Sequence, residues 1–312
     1  MEIFLIKLKR FIKNLKGKKF LRYNPNWIIV DTTSLCNNNC YFCWRKENLS
    51  HLKNIPATFN TMPFEIFKKI IDDVTQYDSV RNISFSGPMG DPMMNKDFAK
   101  FARYAKSKKH FKKIAINTNG LAVDKHDIRT LLSSINSFSF SVDSIDPETY
   151  GKIHGNSENL KKVIDNIKKC ITCKKEHNID TNIIVRFTEN ELNIGQYPEF
   201  RAFFEKLGVD KFNYTKVHSF IDVKEELMSL KNAAFCDQPR QALNFTFTGE
   251  LTTCCINWHF SPLFGNIKDK TIKELWEGEK YNNWLSKMLD TFPCNKCSGL
   301  GTHVQKKNLK NK

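Results

Sequence analysis

Acidic residues are scarce in this 312-residue chain, with 33 Asp+Glu against 49 Lys+Arg and a formal net charge of +16. The excess cations are scattered, with no block beyond the first twenty residues and the Lys-rich tail. A basic balance suits nucleic acid, anionic membrane or an anionic ligand. Scattered Lys in a chain also rich in Asn, Ile and Phe reads as compositional bias, and a nucleic-acid partner is not expected. Long apolar runs are missing too, which excludes a membrane-spanning helix. Internal repeats and low-complexity tracts are absent. With 40% hydrophobic and 12% aromatic residues, the composition is that of a globular protein. No secretory signal is visible, and the ten cysteines fall in clusters that suit metal ligation better than disulfides. A reducing cytoplasm is the expected compartment. Residues 1–20 form a basic amphipathic stretch, with Phe4, Leu8, Phe11 and Leu15 at helical spacing. It is read as a helix packed across the bottom of the fold, with peripheral contact to an anionic membrane surface as the alternative.

From residue 27 short apolar runs alternate with amphipathic ones. Strands are expected at 27–33, 82–86, 113–117, 137–142, 180–187 and 210–216. Helices are expected near 63–76, 96–109, 124–134, 157–178 and 196–207, with Pro63 starting one and Gly208 ending another. Such alternation implies an α/β fold with a parallel sheet joined by right-handed crossovers. An incomplete TIM-like (β/α)6 barrel fits better than an open doubly wound sheet. Barrel enzymes carry their chemistry at the C-terminal ends of the strands.

After the first strand comes Cys36-Asn-Asn-Asn-Cys40-Tyr-Phe-Cys43. Three thiolates cannot close every iron of a [4Fe–4S] cube, which takes four cysteines. They leave one iron for a ligand from outside the protein. Zinc sites pair two C-x2-C units or add histidines, and this loop does neither. The second strand runs into Ser84-Phe-Ser-Gly-Pro-Met-Gly-Asp-Pro92, where Gly87 and Gly90 would permit positive φ and close backbone approach. The third ends in Asn117-Thr-Asn-Gly120 and the fourth in Phe138-Ser-Phe-Ser-Val-Asp143. Together these segments resemble the radical S-adenosylmethionine (radical SAM) superfamily.

That resemblance implies that Cys36, Cys40 and Cys43 ligate a [4Fe–4S] cluster whose open iron chelates S-adenosylmethionine (SAM). Gly87, Gly90 and Asp91 stand where relatives carry Gly-Gly-Glu-Pro, here with Asp for Glu and two inserted residues. Asn119 lies in the Thr-Asn-Gly ending, Ser141 in the SAM-contacting strand, and Phe42 where an aromatic meets the adenine. Asp143 is a further candidate on the ribose side. Relatives often pair the SAM carboxylate with an arginine about a dozen residues later, where this chain has Lys152-Ile-His154. Arg186, on the fifth strand, is the candidate replacement, with a salt bridge to Asp31 or Asp143 as the structural alternative. The family's chemistry is reductive cleavage of SAM to a 5′-deoxyadenosyl radical that abstracts hydrogen from a substrate. A flavodoxin- or ferredoxin-type donor would supply the electron.

In the C-terminal third Cys236, Gly249 and Cys254 give C-x12-G-x4-C, followed by Cys294-Asn-Lys-Cys297. This resembles a SPASM domain in its shortened twitch form, with a hairpin turning at Gly249-Glu250. The resemblance implies a second [4Fe–4S] cluster on Cys236, Cys254, Cys294 and Cys297. Zinc is the alternative for four cysteines, and Cys255 is the rival to Cys254. The expected domains are a basic extension (1–24), a barrel (25–220) and a twitch-type α+β extension (221–312). The layout resembles that of 2-deoxy-scyllo-inosamine dehydrogenase. The leading reading is net two-electron oxidation of a sugar, cyclitol or other small molecule; peptide maturation and RNA modification are alternatives. Tyr214, Lys216 and His218 are weighed as cavity-facing groups but read as exposed edge residues. Cys170 and Cys173 are read as a thiol pair without a redox role.

Overall fold

The computed structural model describes residues 24–43, 60–87, 90–216, 236, 238–255, 257, 261–291 and 294. Residues 1–20, His218, Cys297 and the Lys-rich tail lie outside the described residues.

Six parallel strands form an arc in chain order. They are β1 (Trp27–Val30), β2 (Asn82–Phe85), β3 (Lys113–Thr118), β4 (Ser137–Ser141), β5 (Asn182–Glu189) and β6 (Lys211–Lys216). The crossovers carry α1 (Phe64–Val74), α2 (Phe98–Ser107), α3 (Ile128–Ser134), α4 (Pro147–His154), α5 (Asn159–Glu176) and α6 (Tyr197–Leu207). The expected strands and helices all form, with shifts of a few residues at their ends. The helix α4 was not expected from the sequence. Its signals are nevertheless local: the Asp146 side chain accepts from the Thr149 N–H, Pro147 occupies the first turn, and Gly155 closes the helix at φ 91°. Pro63 sits immediately before α1 and Gly208 ends α6 at φ 95°, as the punctuation implies.

The two faces of the arc differ. Helix-facing side chains are closed off from water: Ile28, Val30, Ile83, Phe85, Phe138, Phe140, Val185 and Phe187 are all fully buried. Aromatic pairs lock this layer, with Phe67 stacked on Phe101 at 4.5 Å and Phe138 on Phe140 at 4.6 Å. The inner face is polar and partly open. In register across it stand Ser84, Ala115, Asn117, Ser139, Ser141, Arg186 and Asn213.

The sheet continues beyond β1 in a way the sequence did not announce. A strand from the C-terminal third, β7 (Ala242–Phe245), pairs in parallel with all four residues of β1. Behind it lie β8 (Glu250–Thr252) and β9 (Leu263–Asn266), both antiparallel to their neighbours. The order is therefore β6-β5-β4-β3-β2-β1-β7-β8-β9, one nine-stranded sheet. Gly249, at φ 90°, makes the expected hairpin turn between β7 and β8. Two short helices follow, α7 (Ile272–Trp276) and α8 (Glu279–Lys287); Tyr281 of α8 packs on Phe264 of β9 and on Trp276 of α7. No helix among the described residues is long and apolar enough to cross a membrane.

Candidate functional site

The loop bearing Cys36, Cys40 and Cys43 leaves the C-terminal end of β1 and crosses the mouth of the arc. Backbone ties fix its course. The Asp91 N–H donates to Leu35 O (2.8 Å), Asn39 N–H to His154 O (3.3 Å) and Tyr41 N–H to Ile153 O (2.9 Å). Side chains reach the sulfurs themselves. Asn119 Nδ2 lies 3.7 Å from Cys36 Sγ and also donates to Asn37 Oδ1 at 2.8 Å. Asn38 Nδ2 lies 3.6 Å from Cys40 Sγ, and His154 Nδ1 is 3.1 Å from the same sulfur. Burial first, then the Cys43 and Cys36 sulfurs and Asp143, push the Cys40 thiol well above its usual range. Crowded sulfurs with N–H donors aimed at two of them fit a cationic metal cluster, which would relieve that repulsion. Among the described residues no three His, Cys, Asp or Glu side chains converge on a single-ion site. A cube needs no such convergence, because each thiolate takes a different iron.

The glycines of the second-strand turn act through size. Neither uses the positive φ that glycine permits; what each supplies is close approach. A Cβ on Gly87 would fall 1.8 Å from the Asp31 carboxyl carbon, and one on Gly90 would fall 2.4 Å from Thr33 O and 2.5 Å from Leu35 O. The turn is thus pressed against the backbone of the cysteine loop. The variant Gly90→Ala forces that backbone to move, because carbonyls cannot swing aside as a side-chain tip can. We expect a loss of about 1–3 kcal/mol, read as a lowered melting temperature, together with weaker iron retention. Wild-type values for both would show that the turn and loop are not in this contact.

Asp91 is committed within the protein. Its carboxylate, on a residue 5% exposed, accepts from Met93 N–H, Thr118 Oγ1–H and Asn119 N–H at 2.6–3.0 Å. Burial raises its pKa, while those donors pull the other way. The Asp91 carboxylate is therefore taken up by donors of the protein itself. Asp143 also departs from the ribose-facing expectation. At φ 63° it turns its carboxylate inward, where Oδ1 accepts from Thr188 N–H (2.6 Å) and Oδ2 lies 3.2 Å from His154 Nε2.

Ser141 and Arg186 are register partners on β4 and β5. Among the described residues no hydrogen bond or ion pair engages the Arg186 guanidinium, and Asp143, one of its two named partners, is occupied elsewhere. Lys152 pairs with Glu148 on the surface at 2.6 Å, and His154 faces Cys40. Of the cations weighed for a SAM carboxylate, Arg186 is the one left on the barrel's inner face. Phe42 lies edge-on to Tyr41 beside the last cysteine. Tyr214 and Lys216 belong to the other face: Tyr214 stacks on Phe187, and Lys216 pairs with Glu189 at 3.1 Å.

At the seam between β1 and the hairpin, a cavity is lined by Asp31, Gly87, Asn244 and Thr246 together with Cys254 and Cys255. Cys254 and Cys294 are buried and Cys236 is half-buried. Cys170 is buried in α5, which pushes its thiol up to about 12 and suits an inert side chain.

Sequence reasoning did not foresee what Asn37, Asn38 and His154 do. The three consecutive amides between the cysteines were visible, but their partners lie 82 and 116 residues away.

Comparison with known proteins follows the same lines. The radical SAM superfamily profile matches residues 30–195, and that of the SPASM iron–sulfur cluster-binding domain matches residues 236–298. A probable GTP 3′,8-cyclase of Methanocaldococcus jannaschii is 27% identical over 198 residues, covering 64% of this chain and 60% of that protein. The chain thus matches only about 60% of the length of such relatives. The tungsten-containing aldehyde ferredoxin oxidoreductase cofactor-modifying protein of Pyrococcus furiosus is 22% identical over 323 residues, covering 87% of each. Among solved structures, BtrN in complex with AdoMet and 2-DOIA has a TM-score of 0.56 at 18% identity, covering 89% of this chain and 94% of BtrN. Streptococcus suis SuiB bound to S-adenosylmethionine has a TM-score of 0.62 at 14% identity, covering 93% and 76%. These two likenesses are of fold.

Proposed function

Because this chain belongs to the radical SAM superfamily and carries a SPASM domain after the barrel, we propose that it oxidises a small, hydroxyl-rich molecule by two electrons at the barrel mouth. Cys36, Cys40 and Cys43 would hold the SAM-binding [4Fe–4S] cluster. Cys236, Cys254, Cys294 and Cys297 would hold a second one. When bound, the first cluster supplies the electron for SAM cleavage, which yields a hydrogen-abstracting radical.

The chain's own residues orient the reactants. The Gly87–Gly90 turn offers backbone to the SAM amino group, Ser141 and Arg186 face the same interior, and Phe42 offers a ring edge to the adenine. Ser84, Asn117, Ser139 and Asn213 on the inner face give a hydroxyl-bearing substrate partners that an aromatic or lipid one would leave unpaired. One observation carries the oxidative reading: Cys254 lines the same seam cavity as Gly87 of the SAM turn and Asp31 of β1. A ligand of the fully coordinated cluster would then stand beside the SAM turn, on the side where an electron acceptor is needed. The relatives named as cyclases match 64% of this chain and 60% of their own length, so their substrate is not carried over. The excess of basic side chains suits docking of an acidic flavodoxin- or ferredoxin-type donor.

The test is anaerobic reconstitution, reduction with dithionite and incubation with SAM. The expected result is about eight irons per chain and formation of 5′-deoxyadenosine. A panel of aminocyclitols and sugars, GTP and short peptides then separates substrate classes through deuterium transfer into 5′-deoxyadenosine. Transfer from GTP or a peptide, and none from the polyols, would overturn the substrate reading.

Arg186→Leu is expected to weaken SAM binding about 10- to 100-fold, the scale of a lost charge-assisted hydrogen bond. Arg186→Lys should fall between that variant and wild type in equilibrium dialysis. An unchanged dissociation constant in the leucine variant would remove Arg186 from the SAM site.

A further inference from the structure

The sulfur of Cys40 is reached by a chain of contacts that begins deep in the barrel. His154 is 2% exposed and Asp143 1% exposed. The Nε2 atom of His154 faces two acceptors, Val142 O at 3.1 Å and Asp143 Oδ2 at 3.2 Å, so it carries the hydrogen. Its Nδ1 accepts from Asn38 Nδ2 at 3.1 Å and itself lies 3.1 Å from Cys40 Sγ. An amide NH2 has two hydrogens in a fixed plane. With one given to His154, the other faces Cys40 Sγ at 3.6 Å. The His154 ring is held a third way by Tyr150, whose ring lies 4.5 Å away. Meanwhile the carbonyls of Ile153 and His154 hold the backbone of residues 39 and 41. The last turn of α4 thus grips the middle of the cysteine loop from both sides of Cys40.

We propose that His154 is a positioning residue for the iron–sulfur site: by its own contact with Cys40 and through Asn38 it aims that cysteine, and the Asn38 amide it holds directs an N–H at the sulfur. It thereby governs how firmly the cluster is held and the potential at which it is reduced, without touching SAM or substrate. This rests on the reading of Cys36, Cys40 and Cys43 as cluster ligands. Hydrogen bonds to a ligating sulfur stabilise the more negative, reduced state, so their loss moves the potential downward. Outer partners of metal ligands also hold those ligands in their productive orientation.

Three variants dissect the contact. His154→Asn puts an amide near the place of Nδ1 and keeps a partner for Asn38. His154→Gln reaches the place of Nε2, keeping Val142 and losing Asn38. His154→Leu loses both. All three are reconstituted anaerobically as full-length protein. The EPR signal that changes on adding SAM reports the cluster of the cysteine loop, and the remaining signal reports folding. Relative to wild type, the Gln and Leu variants should lose the SAM-responsive cluster to an iron chelator at least about 10-fold faster. Their midpoint potential should be more negative. The Asn variant should stay close to wild type on both measures. If the Leu variant fails to fold, the Gln and Asn pair decides. A Gln variant equal to wild type, or an Asn variant as impaired as Gln, overturns the proposal while leaving the cluster reading intact. A wild-type protein with no SAM-responsive cluster overturns both.

Discussion

Alanine at Cys36, Cys40 and Cys43 together should remove about half of the bound iron and all detectable formation of 5′-deoxyadenosine. The expectation is severe because all three sulfurs are removed from the one loop that carries them. The thiols nearest in sequence that lie among the described residues are Cys170, buried in α5, and Cys173 beside it. The loop should nonetheless remain seated. Its backbone ties run through Leu35, Asn39 and Tyr41, none of which is changed. The proposed second cluster and the melting temperature would therefore serve as internal controls. Iron counting with SAM cleavage checks the outcome by chromatography. Residual cleavage at more than a trace would mean that the electron enters SAM elsewhere, and the barrel-mouth reading would fall.

The second large effect separates two adjacent thiols. Cys254→Ala should remove about four irons and abolish substrate oxidation, while SAM is still cleaved without a product. Cys255→Ala should retain its iron and most of its turnover. Both residues border the seam cavity, but they differ in setting: Cys254 is buried and Cys255 only half so. The measurement is iron per chain together with the ratio of oxidised product to 5′-deoxyadenosine. If the alanine at 255 uncouples the two and the alanine at 254 does not, the ligand assignment reverses. If neither variant loses iron, the C-terminal cysteines do not hold a cluster.

Much of the barrel could be read from the chain because its signals are local. Apolar runs such as Ile28–Val30 and Ile183–Val185 alternate with helices bounded by Pro63 and Gly208, and each strand pairs with the next. The cysteine loop and its glycine turn were legible for the same reason, as were Ser141 and Arg186 on neighbouring strands. The pairing of β7 with β1 was not, because it joins segments more than 200 residues apart and no residue of either strand names its partner. The helix α4 was lost for want of length: eight residues give too few apolar repeats to show a period. Asp91 and Asp143 have the right residue type for ligand contact. Their buried donors, Asn119 N–H and Thr188 N–H, arise only from the fold. His154 reads in the sequence only as part of the Lys152-Ile-His154 that stands where relatives carry an arginine, and its contact with Cys40 appears only once α4 is in place.

The shared ladder between β1 and β7 has a consequence for how such a protein can be altered. The four residues that launch the cysteine loop also brace the hairpin leading to Cys254, so the C-terminal third is not a detachable module. Cutting it away would leave Trp27–Val30 as a bare sheet margin with its hydrogen-bonding groups unmet. Grafting a foreign counterpart would demand a matching first strand, so the two halves are constrained to change together.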